Sequence, residues 1–128
     1  MSISEILLGL INHERAAAGA APVVVEEKLS AAAQAHAADM ATNDYFSHTS
    51  SDGRSPQDRA AEHGYTAYGA ENIAYGQHTP HEVVRVWMNS DGHRTNILNP
   101  TLSEIGIGIA ERGDGGPMWV TKFGRQTS

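Results

Sequence analysis

The residues able to do chemistry are spread widely along this chain. His48 closes the run Asp44-Tyr45-Phe46-Ser47-His48, Glu71 lies in Gly69-Ala70-Glu71-Asn72-Ile73-Ala74, and His93 follows Gly92 in Ser90-Asp91-Gly92-His93-Arg94. Two imidazoles and one carboxylate match what a zinc ion asks for, with a position left for water or substrate. The same set can activate a water, the carboxylate taking its proton. Because the three sit on separate elements, they predict a cleft built by the fold rather than a local motif. Each also has a plainer reading. His48 and His93 can be solvent-facing histidines. Glu71, a carboxylate inside an apolar strand pattern, needs a partner if buried, with Arg59 or Arg94 as candidates.

Other chemistries are excluded by what the sequence lacks. His81-Glu82 is followed by Val83-Val84-Arg85, and His13-Glu14 ends in Ala17, so neither completes the short zinc-protease signature. No serine nucleophile elbow, phosphate loop or dinucleotide glycine motif occurs. With no cysteine, the chain has no disulfide, thiolate metal site or cysteine nucleophile. A formal charge of -6 without a Lys/Arg run argues against nucleic acid and anionic membranes as partners. The 128 residues, 40% hydrophobic and 19% charged, predict one globular domain over 1–128. His36 reads as a hydrogen-bonded core residue, His13, His63, His78 and His81 as surface residues, and Trp87 and Trp119 as core anchors.

Positioning these residues falls to a mixed set of elements. Ile3, Ile6, Leu7, Leu10 and Ile11 share a face at helical spacing, predicting a helix over residues 4–18, stopped by Gly19 with Pro22 beyond. Val23-Val24-Val25 reads as a short extended piece. Leu29, Ala32, Ala33, His36, Ala37 and Met40 mark one stripe of a helix over residues 27–42, whose alanines let a neighbouring element approach closely. Residues 45–54 form a loop. Ser55-Pro56 and Thr79-Pro80 each pair an N-cap with a first-turn proline, opening a short helix that ends at Gly64 and another that runs to Ser90. Residues 68–75 read as a strand. Ile105, Ile107 and Ile109 alternate with two glycines, giving a strand with one apolar face and one bare face. Gly113-Asp114-Gly115-Gly116 turns the chain into a return strand over residues 118–123. This order fits an α+β layered domain. The apolar run Ile6-Leu7-Leu8-Gly9-Leu10-Ile11 is too short to cross a membrane, and Glu5 precedes it where a signal peptide would carry positive charge.

Taken in order, these residues resemble the CAP (SCP/PR-1-like) domain family of cysteine-rich secretory proteins, antigen 5 and pathogenesis-related 1, in its short, cysteine-free bacterial form. The likeness runs through Ile11-Asn12-His13-Glu14-Arg15, Ala35-His36-Ala37-Ala38-Asp39-Met40, Tyr45-Phe46-Ser47-His48, Gly53-Arg54-Ser55-Pro56, Glu71-Asn72-Ile73-Ala74, Gly92-His93-Arg94, Asn96-Ile97-Leu98 and Trp119. It implies an α-β-α sandwich, with an antiparallel sheet between helical layers and a central cleft. It further implies a His/Glu/Glu/His tetrad in that cleft, whose histidines, here His48 and His93, bind zinc or another divalent metal. Glu71 is then the first glutamate. The second glutamate's position holds Ser90, with Asp91 beside it, so the cleft set is Glu71, Ser90 and Asp91; the missing carboxylate weakens hydrolase chemistry more than metal binding. Ala70 stands where a glycine commonly precedes the Glu-Asn pair.

Functions within the family are heterogeneous, so fold alone does not fix activity. The expectation is a secreted or cell-surface binding module, not an integral membrane protein and not a nucleic-acid binder. Its cleft would hold a divalent metal through His48 and His93 and take a small-molecule, lipid or peptide ligand. An alternative is a metal-assisted hydrolase of peptide or cell-envelope material with Glu71 as catalytic base. A third is that His48, Glu71 and His93 form only a structural hydrogen-bond network.

Overall fold

Caps written into the sequence set where the helices begin. The structure, a computed structural model, describes residues 1–125, so residues 126–128 of the expected unit lie outside the described residues. Ser2 opens helix α1 (Ile3–Ala17) in a capping box with Glu5. Gly19 then takes φ 81°, which lets the chain turn towards β1 (Val24–Val25). Helix α2 (Glu27–Asn43) ends on Asp44 in the left-handed conformation. Ser55 and Thr79, each followed by proline, cap α3 (Pro56–Glu62) and α4 (Pro80–Met88), with β2 (Tyr68–Tyr75) between them. After α4 come α5 (Asp91–Leu98), β3 (Glu104–Glu111) and β4 (Pro117–Gly124).

Helix α5 is the element not anticipated from the sequence. Its residues Asp91, Gly92, Thr95 and Asn96 are poor helix formers, and it is held by tertiary contacts instead. Ile97 is buried in the core. Fully buried Arg15, in the last turn of α1, donates to the carbonyls of Ile97, Asn99 and Leu102.

The four strands form one sheet in the order β1-β3-β4-β2. β2 and β3 each run antiparallel to β4, as expected, but β1 pairs parallel to β3 through Val24↔Glu104 and Val25↔Ile105. The sheet is therefore mixed rather than purely antiparallel. β1 joins two helices and enters no hairpin, so no tight turn fixes its direction.

Helices cover both faces, giving the α-β-α sandwich. On one face Leu7, Ile11, Val83, Trp87 and Ile97 pack against Ile105, Ile107, Trp119 and Phe123. On the other, the alanine stripe of α2 meets Ile73, Met118 and Val120. The bare face of β3 lies directly under α2. A Cβ on Gly106 would stand 2.1 Å from the Leu29 carbonyl carbon, and one on Gly108 would stand 2.3 Å from that of Ala33. Those neighbours are helix backbone, which cannot step aside. Gly108→Ala is therefore expected to destabilise the fold by about 2–3 kcal/mol, read as a lower urea midpoint with an unchanged m-value.

Candidate functional site

Strand β2 is an edge of the sheet, and two consecutive residues on it organise the site. Side chains alternate across a strand, so Glu71 and Asn72 point to opposite faces. Glu71 reaches the loop that carries His48, its Oε1 accepting from His48 Nδ1 at 2.9 Å. Fully buried Asn72 reaches α5, donating to the carbonyl of His93 at 3.1 Å and accepting from Asn96 at 2.8 Å. The free backbone edge of β2 is satisfied in part by side chains, Trp87 Nε1 donating to the Ile73 carbonyl at 3.1 Å.

Glu71 is the most constrained of the three expected residues. Its side chain is 1% exposed, and besides His48 it meets two cations. Lys122 Nζ lies 2.8 Å from Oε2, and Arg59 Nη1 lies 3.2 Å from the same oxygen. Arg59 Nη2 also reaches Oε1 at 3.4 Å and donates to the carbonyl of His48. Burial works to raise the Glu71 pKa, but the His48 hydrogen bond and the charges of Lys122 and Arg59 outweigh it and hold the carboxyl at about 2. Lys122 is wholly buried, donates to the Pro56 carbonyl at 3.0 Å and sits 4.8 Å above the Tyr68 ring. Burial pushes its pKa down to about 8 against the pull of Glu71.

The ion pair with Arg59 was one of the two anticipated; Arg94 instead pairs with Asp91 at 3.1 Å. Lys122 was not anticipated. Its signal lay in the strand alternation, which puts it on the Met118 and Val120 face, directly opposite Glu71 in the β2–β4 register. His36 is a further support, its Nε2 bonded to the Ser47 carbonyl at 2.8 Å. Consecutive carbonyls of the His48 loop are thus held from behind by His36 and Arg59. This agrees with the reading of His36 as a hydrogen-bonded core residue.

His93 rises from the first turn of α5 with its Nδ1 2.9 Å from Ser90 Oγ. Ser90 is the N-cap of α5 but makes no capping bond, because its hydroxyl is spent on that ring. Burial and nearby His48 push the His93 pKa below its ordinary value. Asp91 does not enter the cleft. Its side chain is 96% exposed and faces Arg94.

His48 and His93 line one cleft of about 600 Å³, together with Ile73, Ala74, Tyr75, Trp87 and Gln77. Phe46 and Val86, two of the exposed large apolar side chains, form its lips. Glu71 lies beneath, behind His48, and is not part of the lining. Its carboxylate accepts the His48 Nδ1–H, which fixes the tautomer and leaves Nε2 as a lone-pair donor. When Ser90 accepts from His93, that Nε2 is freed in the same way. The donor set suits a cation with two imidazole ligands that draws its remaining positions from solvent or a ligand. Among the described residues, no group of three or more His, Asp or Glu side chains is placed to hold a metal.

Comparison with known proteins agrees with this architecture. Residues 8–123 match the family described as CAP, the cysteine-rich secretory protein family. YkwD of Bacillus subtilis is 45% identical over 115 residues, covering 89% of this chain and 44% of that protein. The membrane protein YlbC of the same organism is 36% identical over 104 residues, covering 80% of this chain and 30% of that protein. The chain thus spans less than half the length of these relatives. Among solved structures, an extracellular protein containing a SCP domain from Bacillus anthracis superposes with a TM-score of 0.85 at 28% identity, over 95% of this chain and 40% of that one. An outer surface protein from Borrelia burgdorferi shares the fold at the same TM-score of 0.85 and 21% identity, over 98% of this chain and 93% of that one.

Removing the buried anion should cost more than the hydrogen bonds it accepts. Glu71→Gln leaves Arg59 and Lys122 buried without a counter-charge, and is expected to destabilise the protein by about 3–5 kcal/mol at pH 7. The folded pKa of Glu71 lies below its unfolded value, so its stabilisation is full above the ordinary carboxylate range and is lost as pH falls towards 2. Lys122 works in the opposite window. Its lowered pKa means the unfolded chain binds the extra proton between about pH 8 and the ordinary lysine range, so stability rises with pH there. Urea denaturation from pH 2.5 to 10 checks both limbs; the acid loss should be shallower in Glu71→Gln.

Proposed function

The chain belongs to the CAP family of cysteine-rich secretory proteins, and on that footing we propose that it is a non-enzymatic binding module acting outside the cell. Its cleft takes a small-molecule, lipid or peptide ligand and holds a divalent cation such as zinc between His48 and His93. The observation carrying this reading is the bond from His48 Nδ1 to a buried carboxylate ionised at neutral pH, which presents the opposite ring nitrogen as a ligand. His93 lines the same cleft and, with its lowered pKa, stays neutral to lower pH than a free imidazole. A bound cation would supply a Lewis-acid contact for a ligand oxygen. The largely apolar walls supply the rest of the grip.

Hydrolysis with Glu71 as general base draws no support from this arrangement. A base must reach the proton it removes, and Glu71 faces away from the cleft with both oxygens engaged by donors. Holding its pKa at about 2 also leaves it a weak acceptor at neutral pH. The extracellular assignment is supported by the family and by the B. anthracis neighbour, described as an extracellular protein. No helix among the described residues is long and apolar enough to cross a membrane.

Calorimetric titration with zinc at pH 7 tests the cleft. One site is expected, weakening towards acid pH because protonated imidazole has no lone pair for a metal. The His48→Ala, His93→Ala double variant should lose the binding. Equal affinity in that variant would place the metal elsewhere and end the proposal.

A further inference from the structure

Behind the His48 loop lies a second, much smaller cavity of about 30 Å³, lined by Ala32, His36, Asp39, Arg54, Arg59 and His63. Two polar atoms of its walls, His36 Nδ1 and Arg59 Nε, have no protein partner among the described residues, although the two residues are only 1% and 4% exposed. Their characters differ. His36 Nε2 lies 2.8 Å from the Ser47 carbonyl, which can only accept, so Nε2 carries the ring proton. Burial and the charge of Arg59 lower the His36 pKa, so the ring is neutral at pH 7 and Nδ1 presents a bare lone pair. Arg59 gives Nη1 to Glu71 and shares Nη2 between Glu71 and the His48 carbonyl, which leaves its Nε–H as a spare donor. A buried acceptor and a buried donor thus belong to one cavity, and leaving either unpaired costs stability.

We infer that the cavity is a binding site for one water, which accepts from Arg59 Nε–H and donates to His36 Nδ1. The volume is that of a single water molecule, so a larger hydroxyl compound does not fit. A halide can only accept, and it would meet the His36 lone pair and the Asp39 carboxylate. The cations of the walls do not call for one either, since Arg59 is paired with Glu71, and Arg54 with Asp52 and Glu62. A small cation would instead face the Arg59 guanidinium. His63 and Ala35, which also line the cavity, are exposed, so water can enter. The bridge matters because of what its two ends hold. His36 fixes the carbonyl of Ser47 and Arg59 that of His48, and both of those residues line the cleft. The water joins the two supports into one hydrogen-bonded unit, so the cleft wall is braced through a solvent molecule as well as through Glu71. None of this depends on what the cleft binds.

Two measurements on the wild-type chain at pH 7 test this. In crystals grown with sodium bromide and measured at the bromine absorption edge, the cavity should hold one water-sized peak without anomalous signal. That peak should lie about 2.7–3.2 Å from both His36 Nδ1 and Arg59 Nε. In solution, long-range nitrogen–proton correlation spectra should show His36 as the Nε2–H tautomer. Its Nδ1 resonance should be moved from that of a bare lone pair towards the hydrogen-bonded range. An empty cavity in the crystal overturns the inference, as does a peak touching only one of the two atoms. Anomalous density there would make the cavity a halide site and overturn it too. An Nδ1–H tautomer, or a bare Nδ1 resonance in the folded protein, overturns it without need of a crystal.

Discussion

A carboxylate taken out of water must be compensated wherever it goes, and here that requirement organises the molecule. Glu71 draws its partners from three other parts of the chain: the His48 loop, Arg59 on α3 and Lys122 on β4. Burying the charge alone would cost many kcal/mol. Burying it among fixed donors makes each partner's position a condition of the fold. The β2–β4 register shows this directly, since Lys122 stands opposite Glu71. A slip by one residue would swing Lys122 to the Trp119 and Phe123 face, a lysine in an apolar core.

The strand's alternation carries the organisation across the sheet. Glu71 and its neighbour Asn72 face opposite layers, one orienting the loop histidine and the other pinning the helix histidine by its carbonyl. Were β2 an interior strand, groups on its two faces would be separated by the sheet. Because β2 is an edge, the two layers can meet around it, and the cleft opens there with Ile73 and Ala74 as its floor. Trp87 joins core and cleft, packing in the interior while its indole N–H caps an edge carbonyl.

Much of this was legible in the residues, and the rest was hidden for definite reasons. The capped helices and the β3–β4 hairpin announced themselves through Ser-Pro, Thr-Pro and glycine turn signals, which act locally. The bare face of β3 and the alanine stripe of α2 were separately visible, and their contact follows from each needing a close neighbour. Helix α5 was hidden because its own residues disfavour it and Arg15, far away in sequence, stabilises it. The parallel pairing of β1 was hidden because two residues carry too little pattern to set a direction. At the site, the need of Glu71 for a partner was readable and Arg59 was a named candidate. Lys122 required knowing that its strand lies beside β2, which is tertiary information. Asp91 shows the reverse limit, as adjacency to Ser90 says nothing of direction on a helix, and its side chain turns to solvent.

A carboxylate cannot be both the anchor of a site and its mobile base. Anchoring calls for low basicity and saturated oxygens, which Glu71 has; proton abstraction calls for basicity near the working pH and a free lone pair aimed at substrate. A second carboxylate on the cleft side would separate the two duties, one acid holding the imidazole and the other facing the ligand. In this chain Ser90 orients His93 through its hydroxyl and brings no charge. Both histidines are consequently oriented, His48 by a carboxylate and His93 by a hydroxyl, and among the described residues no carboxylate lines the cleft. Glu71 is committed to the fold, and its oxygens are not free to take a proton from a bound ligand.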